Sequence, residues 1–173
     1  MKFELKECIE ILSRTPKVLE SLLSELNDQW VHANEGDDTW SPFDIVGHLI
    51  HGEKTDWIPR SRAILEDELG TSFQPFDRFA QFENSKGKNL DQLLIEFSLL
   101  RKGNMKTLKE LEIDSEKLLR TGIHPAFGEV TLQQLLATWT AHDFSHIHQL
   151  TRVLAKNYKE EVGPWKEYIS ILK

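Results

Sequence analysis

A four-helix bundle, all-α and with a long connection between its second and third helices, is the fold class that this sequence predicts. Apolar residues recur at helical spacing in four long segments, as expected for helices that each bury one face. Residues that favour helix N-termini stand before the second and fourth segments. We find no segment with the alternating pattern of a half-buried strand and no internal repeat. The sequence therefore favours helices packed on helices.

The length and composition indicate one globular domain, which we place at residues 1–173. Hydrophobic residues make up 39% of the chain and charged residues 28%, which suits a packed core and not a disordered chain. Lysine and arginine number 21 against 28 aspartate and glutamate residues, so the formal net charge is -7. We see no basic patch, and this charge would repel a phosphate backbone, so we expect no nucleic-acid partner.

Cysteine usage and the start of the chain point to a cytoplasmic protein. Cys8 is the only cysteine, so no intrachain disulfide can form and a reducing compartment fits. Residues 1–12 mix charged with apolar side chains, unlike a signal peptide. No apolar run approaches the roughly 20 residues that cross a bilayer as a helix, so we expect no membrane partner.

The first bundle helix is predicted to begin at Thr15, a candidate N-cap, with Pro16 in the first helical position. Residues 5–12 also have helical spacing, and Pro16 should bend or interrupt the join. The stretch at 34–38, Asn-Glu-Gly-Asp-Asp, ends the pattern. The apolar face of this helix comprises Val18, Leu19, Leu22, Leu23, Leu26 and Trp30.

The second helix is predicted to open after Ser41, which can cap it, and to run to about Leu65. Pro42 lacks only an N–H that a first turn does not use, and Asp44 meets the positive end of the helix dipole. Residues 70–88 are rich in Gly, Pro, Ser and Phe without a period, which indicates a long connection. We expect its aromatic residues to cover an end of the bundle: Phe73, Phe76, Phe79 and Phe82.

The third and fourth helices follow at residues 90–111 and after Thr131, a further candidate cap. Gly103 costs the third helix on the order of 1 kcal/mol against alanine, which packing can overcome. The segment 121–128 is predicted to interrupt the helical pattern between the third and fourth helices. A short helix is expected at the C-terminal end of the chain, after Gly163 and Pro164. The apolar stripe of the fourth helix comprises Leu132, Leu135, Leu136, Trp139, Ile147, Leu150, Val153 and Leu154.

His142 and His146 stand one turn apart on the fourth helix, where two imidazoles can bind one ion. At about 100° per residue, His146 lies within the apolar stripe and His142 at its edge, whereas His148 points away. Asp143 also falls on this stripe, where a lone carboxylate is costly. We therefore expect Asp143 to orient a ligand imidazole by accepting its second ring proton.

The second helix offers a third ligand. His48 lies nearer its apolar stripe than His51, which faces away, so His48 is the better candidate. Glu53 lies nearer still to the centre of the stripe and is a reserve carboxylate ligand. The competing interpretation is that His142 and His146 are two partly exposed residues that bind no metal. The motif favours this interpretation to the extent that it lacks the central Glu of a metalloprotease HExxH sequence.

The other residues whose side chains could take part in binding or catalysis have ordinary structural explanations. His124 is expected in a loop, with a role at the pocket mouth as the alternative, and His32 on the surface. Arg101 and Asn104 fall near the buried stripe of the third helix, which indicates bundle ion pairs, although Arg101 could meet a substrate carboxylate. Cys8 is expected to be an inert, partly buried thiol. Packing in the core or an interface explains Trp30, Trp40, Trp57, Trp139 and Trp165.

Three motifs together resemble the DinB-like (DinB/YfiT) superfamily over nearly the whole chain, in residue type, order and spacing. They are Trp40-Ser41-Pro42-Phe43-Asp44, Gly47-His48-Leu49 and Trp139-x-x-His142-Asp143-x-x-His146-x-x-Gln149. The resemblance implies a four-helix bundle that binds a divalent ion through one His of the second helix and an HxxxH pair of the last long helix. His48, His142 and His146 would be those ligands. Despite the superfamily's name, the resemblance implies no DNA role.

The resemblance implies a site more strongly than a reaction, and the sequence assigns no catalytic residue. Related bundles include thiol-dependent transferases, so our first hypothesis is a metal-dependent thiol S-transferase that acts on small electrophiles, with a small thiol as cosubstrate. The alternative is a non-enzymatic metal-binding or interaction module. Imidazole suits several ions, of which zinc or nickel is our expectation. A homodimer would be ordinary for such a bundle. Metal affinity should fall below neutral pH, because the reference pKa of imidazole is about 6.5.

Overall fold

The computed structural model describes residues 2–66 and 72–173, and it is a helical bundle with one small hairpin. The helices are α1 Leu5–Leu12, α2 Thr15–Leu23, α3 Asp28–Val31, α4 Pro42–Thr55, α5 Trp57–Glu66, α6 Ala80–Asn84, α7 Leu90–Glu110 and α8 Leu132–Lys156. The strands are β1 Thr121–His124 and β2 Gly128–Thr131, and short 3-10 helices cover Lys117–Leu119, Gly163–Glu167 and Ser170–Leu172. In the ranges described, no helix is both long and apolar enough to cross a membrane.

The first bundle helix is more broken than its apolar pattern predicts. Thr15 is the first residue of α2 and not its N-cap, which is Arg14 without a side-chain bond. The Thr15 hydroxyl instead donates to Asp143 on α8. The helix ends at Leu23, because Glu25 adopts a positive φ of 62°, and α3 begins anew after Asn27, whose side chain caps it. The expected continuation to Trp30 is therefore wrong.

The second bundle helix begins as predicted and then divides in two. Ser41 and Asp44 form a reciprocal capping box at the start of α4. The helix is interrupted at Asp56, after which α5 continues to Glu66. Gly47 allows α6 to pack closely on α4, since a Cβ there would lie 2.6 Å from Ser85 Oγ. The residue before His48 is thus fixed against a second helix.

The third and fourth bundle helices are confirmed. Asn89 caps α7 and Thr131 caps α8, each in a capping box with the glutamine three residues on. The expectation of no strand is wrong, because the predicted chain break folds into an antiparallel hairpin that pairs Thr121 with Thr131 and His124 with Gly128. Each strand has only four residues, the shortest run that can show alternation, and each includes a glycine, a residue depleted in strands. The hairpin delivers the chain directly to the N-cap of α8.

The aromatic residues of the long connection do not all cover the bundle. Phe73 is buried, whereas Phe79 is 66% exposed and Phe82 is also exposed. The connection includes α6, and positions 70 and 71 of the predicted segment lie outside the described residues. The predicted terminal helix is replaced by two 3-10 helices, and Trp165 is 69% exposed, so it does not belong to the core.

A layer of charged residues divides the core in two. One half gathers α2, α3, the first part of α4, the first half of α7 and the last turns of α8. The other gathers α1, α5, the second half of α7 and the first half of α8. Between them lie Arg101, Glu53 and Asp143, each 1% or 2% exposed. The three histidines on α4 and α8 lie at the level of this layer, since His142 precedes Asp143 directly.

Candidate metal centre

Two helices bring three imidazoles to one point. His48 comes from α4, and His142 and His146 come from successive turns of α8. The Nε2 atom of His142 lies 3.2 Å from Nε2 of His48 and 3.1 Å from Nε2 of His146. One ligand atom from each residue lies within 4.8 Å of the others. The structure therefore brings together the three histidines that the sequence singles out.

The donor set fits a divalent ion. His146 Nδ1–H donates to Gln149 Oε1 at 2.9 Å, so its Nε2 presents a lone pair. Two nitrogens that each lie about 2.0–2.1 Å from a tetrahedral zinc ion are about 3.3 Å apart, close to the separations seen here. Without an ion, a proton on one Nε2 atom could make a hydrogen bond across only one of the two Nε2–Nε2 contacts, and the other contact would stay unsatisfied. Metal ligation is the arrangement that satisfies all three.

Burial keeps the imidazoles neutral. It lowers the pKa of His48 to about 3, and repulsion from His146, His51 and Arg78 acts in the same direction. It likewise lowers the pKa of His142 to about 3, with repulsion from both other histidines. Burial also lowers the pKa of His146, against the hydrogen bond to Gln149. Neutral imidazole is the form that binds metal.

Aromatic rings fix the orientation of the cluster. Trp40 lies 4.7 Å from the His48 ring and stacks on His146 at 6.3 Å between centroids. Phe76 meets His48 edge-on at 5.4 Å, and Trp57 meets His142 edge-on at 5.1 Å. The rings hold the imidazoles by packing. Sequence reasoning assigned these aromatic residues to general packing and missed their contacts with the histidines.

Gln149 is the positioning residue that the sequence left without a role. Its side-chain oxygen accepts the Nδ1 proton of His146 from one turn further along α8. We expect Gln149→Leu to weaken metal binding by about 10- to 100-fold, because partners of this kind fix the tautomer and orientation of a ligand imidazole. Isothermal titration with zinc measures this, and Gln149→Glu should retain most of the affinity. Equal affinities for wild type and Gln149→Leu would contradict this role.

Asp143 and Glu53 do not take the roles that the sequence suggested. Both Asp143 oxygens accept from Arg101, at 2.6 and 3.0 Å, and one also accepts from Thr15. Glu53 accepts from Arg101, Asn104 and Trp139. Within the described ranges, no imidazole donates to Asp143 and Glu53 does not join the histidine cluster. Both carboxylates instead bind the buried guanidinium of Arg101, because a buried negative charge is stabilised more by a buried positive charge than by a neutral imidazole.

Arg101 is therefore structural. It is 1% exposed, and its guanidinium also donates to the carbonyl of Leu12 at 2.8 Å and packs over the rings of Phe97 and Trp139. The predicted ion pair is confirmed, and the alternative of contact with a substrate carboxylate is wrong. Because Glu53 lies on α4 and Asp143 on α8, Arg101 fixes the two helices that carry the histidines.

The other histidines lie outside the cluster. His51 is half-buried against Phe76, and His148 and His32 are exposed. His124 belongs to β1 and not to a loop, and it stacks on Phe127 at 4.4 Å at the wall of a cleft. Its predicted alternative place at the pocket mouth thus agrees with the structure. Cys8 is buried, with Sγ 3.1 Å from Thr140 Oγ1, as expected for an inert thiol.

A cleft of about 1100 Å³ opens against the three histidines. Two ion pairs lie along it, Arg60 with Asp56 and Arg152 with Glu35, the latter holding the pKa of Glu35 at about 2. Most of its wall is apolar, and a cleft of this size and composition can take small organic molecules. Its aromatic lining comprises Trp40, Trp57, Phe73, Phe76, Phe79 and Phe127.

Acid should destabilise the metal-free protein. Imidazoles in the unfolded chain have a pKa of about 6.5, so below that pH the unfolded state binds more protons than the folded state, in which His48 and His142 titrate at about 3. The free energy of unfolding should therefore fall from pH 7.5 to pH 5 by up to about 2 kcal/mol for each of these two residues. Urea denaturation of chelator-treated protein at both pH values measures it.

The double substitution His48→Gln and His142→Gln should reduce this loss in acid, since neither glutamine titrates. An unchanged pH dependence in the double variant would contradict the assignment. Burial lowers the pKa of all three imidazoles, so the loss of metal affinity should lie further into the acid range than the reference pKa of about 6.5 alone predicts.

The fold and the site together define a class of protein: a helical bundle in which three neutral imidazoles meet beside an apolar cleft. The family model of the DinB superfamily matches residues 11–150, and the chain belongs to that superfamily. The resemblance indicated by the sequence motifs is confirmed. No curated protein matches the chain.

Two solved structures support the fold. The chain is similar to "YfiT from Bacillus subtilis", described as "a probable metal-dependent hydrolase with an unusual four-helix bundle topology", with a TM-score of 0.76, 21% identity and coverage of 87% of this chain and 86% of that one. It is also similar to TT2238, "a four-helix bundle protein", with a TM-score of 0.55, 19% identity and coverage of 88% and 99%. The predicted four-helix-bundle class is confirmed.

Proposed function

We propose that this protein is a metal-dependent enzyme that transfers a small thiol to a small electrophilic molecule in the cleft beside His48, His142 and His146. The observation that carries the proposal is the convergence of three neutral imidazole nitrogens on the wall of that cleft. When bound, a divalent ion such as zinc or nickel supplies Lewis acidity that makes a thiol or water a better nucleophile near neutral pH.

The ligand number favours catalysis over a purely structural site. Structural zinc sites usually have four protein ligands, whereas catalytic sites have three and an open position. In the part of the chain that the structure describes, the cluster holds three histidines and no carboxylate or thiol completes it. The non-enzymatic module that the sequence left open is therefore the weaker proposal.

The size of the cleft favours a reaction of two molecules. Its volume of about 1100 Å³ is at or above the upper end of the usual range for a single ligand, about 300–1,000 Å³. Cys8 does not line it, and burial raises the pKa of that thiol. A thiol nucleophile would therefore come from a second molecule, with the aromatic walls holding the apolar parts of both reactants.

Hydrolysis is the second candidate function. The observation in its favour is the similarity in fold to YfiT, described as a probable metal-dependent hydrolase. The same imidazoles would serve, and water would take the place of the thiol in the cleft. The two candidates differ in one requirement, since only the transfer reaction needs a thiol.

Activity assays with and without thiol test the proposal. Metal-loaded protein is mixed with a model electrophile and a panel of small cellular thiols, and separately with model esters and amides in the absence of thiol. We expect thiol-dependent turnover that is lost after chelation and in His146→Ala, and retained in His148→Ala on the same helix. A cobalt-substituted sample should gain a sulfur-to-metal charge-transfer band on addition of the active thiol. Turnover of esters or amides without thiol would favour hydrolysis, and inactivity in both assays would overturn the enzymatic proposal.

A further inference from the structure

A buried arginine lines the histidine cleft without taking part in the metal centre. Arg60 on α5 is 9% exposed, and it lines the cleft together with His124 of β1. Trp57, which lies one helical turn or about 5 Å earlier on α5, contacts the ring of His142. Arg60 therefore lies on the hairpin side of the cleft, one turn of α5 beyond a residue that touches the histidine cluster.

Three contacts hold the Arg60 side chain in place. Its Nε lies 2.6 Å from Oδ1 of Asp56, its Nη2 donates to the carbonyl of Gln74 at 3.2 Å, and its guanidinium packs over the Phe73 ring at 5.0 Å. A guanidinium has five N–H donors, and among the described residues no acceptor takes those of Nη1. Because the side chain is already fixed, a molecule that accepts these donors orders little that was free before.

His124 offers a second donor on the same side of the cleft. Its Nδ1 accepts from the backbone N–H of Ala126 at 3.1 Å, so in the neutral ring Nε2 carries the proton. Burial lowers the pKa of His124, and repulsion from Arg60 acts in the same direction, which keeps the ring uncharged near neutral pH. Phe73 contacts both side chains, since its ring also meets that of His124 edge-on at 6.4 Å. The two donors therefore flank one aromatic ring.

The charges of the cleft favour an anion once a divalent ion is bound. In the described chain, the charged side chains that line the cleft balance one another, with Arg60, Arg78 and Arg152 against Glu35, Asp38 and Asp56. The three imidazole ligands are neutral, so none of them offsets the two positive charges of the ion. The loaded cleft thus has a net positive charge, which attracts negatively charged molecules.

We propose that Arg60 and His124 bind a carboxylate of the molecule that occupies the cleft, so that the protein acts on carboxylate-bearing small molecules. This proposal rests on the proposed function in taking the cleft as the substrate site. A carboxylate can accept from Nη1 of Arg60 and Nε2 of His124 together, and such charge-assisted bonds are stronger than bonds to a neutral oxygen. The apolar part of the same molecule lies against Trp57 and Phe76, towards the histidines.

Phenylacetate and its uncharged isostere phenylacetamide are the probes that test the proposal. Isothermal titration measures their binding to zinc-loaded and to chelator-treated protein. Neither probe is a thiol or needs to react, so failure of the thiol-transfer proposal leaves this test intact. We expect wild type to bind phenylacetate at least about tenfold more tightly than phenylacetamide, because only the first accepts charge-assisted bonds at both oxygens. Zinc should increase this preference.

Two variants remove the donors, and a third is the matched control. Arg60→Gln combined with Asp56→Asn removes the guanidinium without leaving a buried carboxylate uncompensated. His124→Phe removes the Nε2 donor at a partly exposed position and keeps a ring to stack on Phe127. Arg62→Gln is the control, because Arg62 is exposed on the same helix and does not line the cleft. Both donor variants should bind phenylacetate more weakly and phenylacetamide as wild type does, whereas the control should match wild type for both.

The double variant is expected to weaken phenylacetate binding at least about tenfold. Equal affinity of wild type for the two probes, or no binding of either, would overturn the proposal. Donor variants that keep the wild-type preference would overturn it as well. Phenylacetate binding that disappears on chelation and is unchanged in both donor variants would show that the carboxylate binds the ion and not Arg60, which also contradicts the assignment.

Discussion

Arg101→Met is expected to reduce the free energy of unfolding by at least about 4 kcal/mol, or to prevent folding altogether. The guanidinium is 1% exposed, and it donates to Glu53 and Asp143, which are almost equally buried. Methionine fills a similar volume but leaves two carboxylates without their cation. Breaking a buried ion pair from one side costs more than the pair contributes, because the remaining charge stays desolvated.

Denaturation with urea measures this loss, and Lys17→Met at an exposed position of α2 is the control, for which we expect a change within about 0.5 kcal/mol. Adding Glu53→Gln and Asp143→Asn to Arg101→Met should recover part of the stability, since the uncompensated charges are then removed. A loss below about 1 kcal/mol for Arg101→Met would show that the charged layer does not hold the bundle together.

His142→Ala is expected to lower the affinity for zinc by more than about 100-fold. Loss of a residue that only hydrogen-bonds to a metal ligand lowers affinity by up to about 100-fold, and loss of the ligand itself should cost more. The imidazole of His142 lies between the other two, with its Nε2 3.2 and 3.1 Å from theirs. Its removal leaves a two-ligand site on helices that still fold. Competition titration with a chromogenic chelator measures the affinity.

His148→Ala and His51→Ala are the controls for ligand loss, because each lies on the same helix as a ligand but outside the cluster. Both should bind zinc as wild type does. If either control abolished binding while His48→Ala or His142→Ala left it intact, the ligand assignment would be wrong.

The helix boundaries that rest on local chemistry could be predicted from the sequence. Ser41 and Thr131 cap α4 and α8 through hydrogen bonds to the residue three positions on. All the residues that form each cap are therefore adjacent in the sequence, and the helix start can be predicted from them. Thr15 has the same chemistry, but its hydroxyl donates to Asp143, which is distant in sequence. The hairpin escaped prediction because its strands are only four residues long.

The candidate site shows the same division between local and distant information. Helix phase distinguished His142 and His146 from His148, and the motif resemblance supported His48. Helix phase placed Asp143 and Arg101 on buried stripes but could not show that the two meet across the bundle. The expected bond from an imidazole to Asp143 was therefore wrong, and the contact between His146 and Gln149 went unassigned.

The central claim is that the three imidazoles hold one divalent ion. Crystals of the untagged protein soaked or grown with zinc, measured on both sides of the zinc absorption edge, test this claim most directly. We predict one strong anomalous peak about 2.0–2.1 Å from Nε2 of His48, His142 and His146. An absent peak at this position, or a peak bound by other residues while these three nitrogens remain in contact with one another, would contradict it.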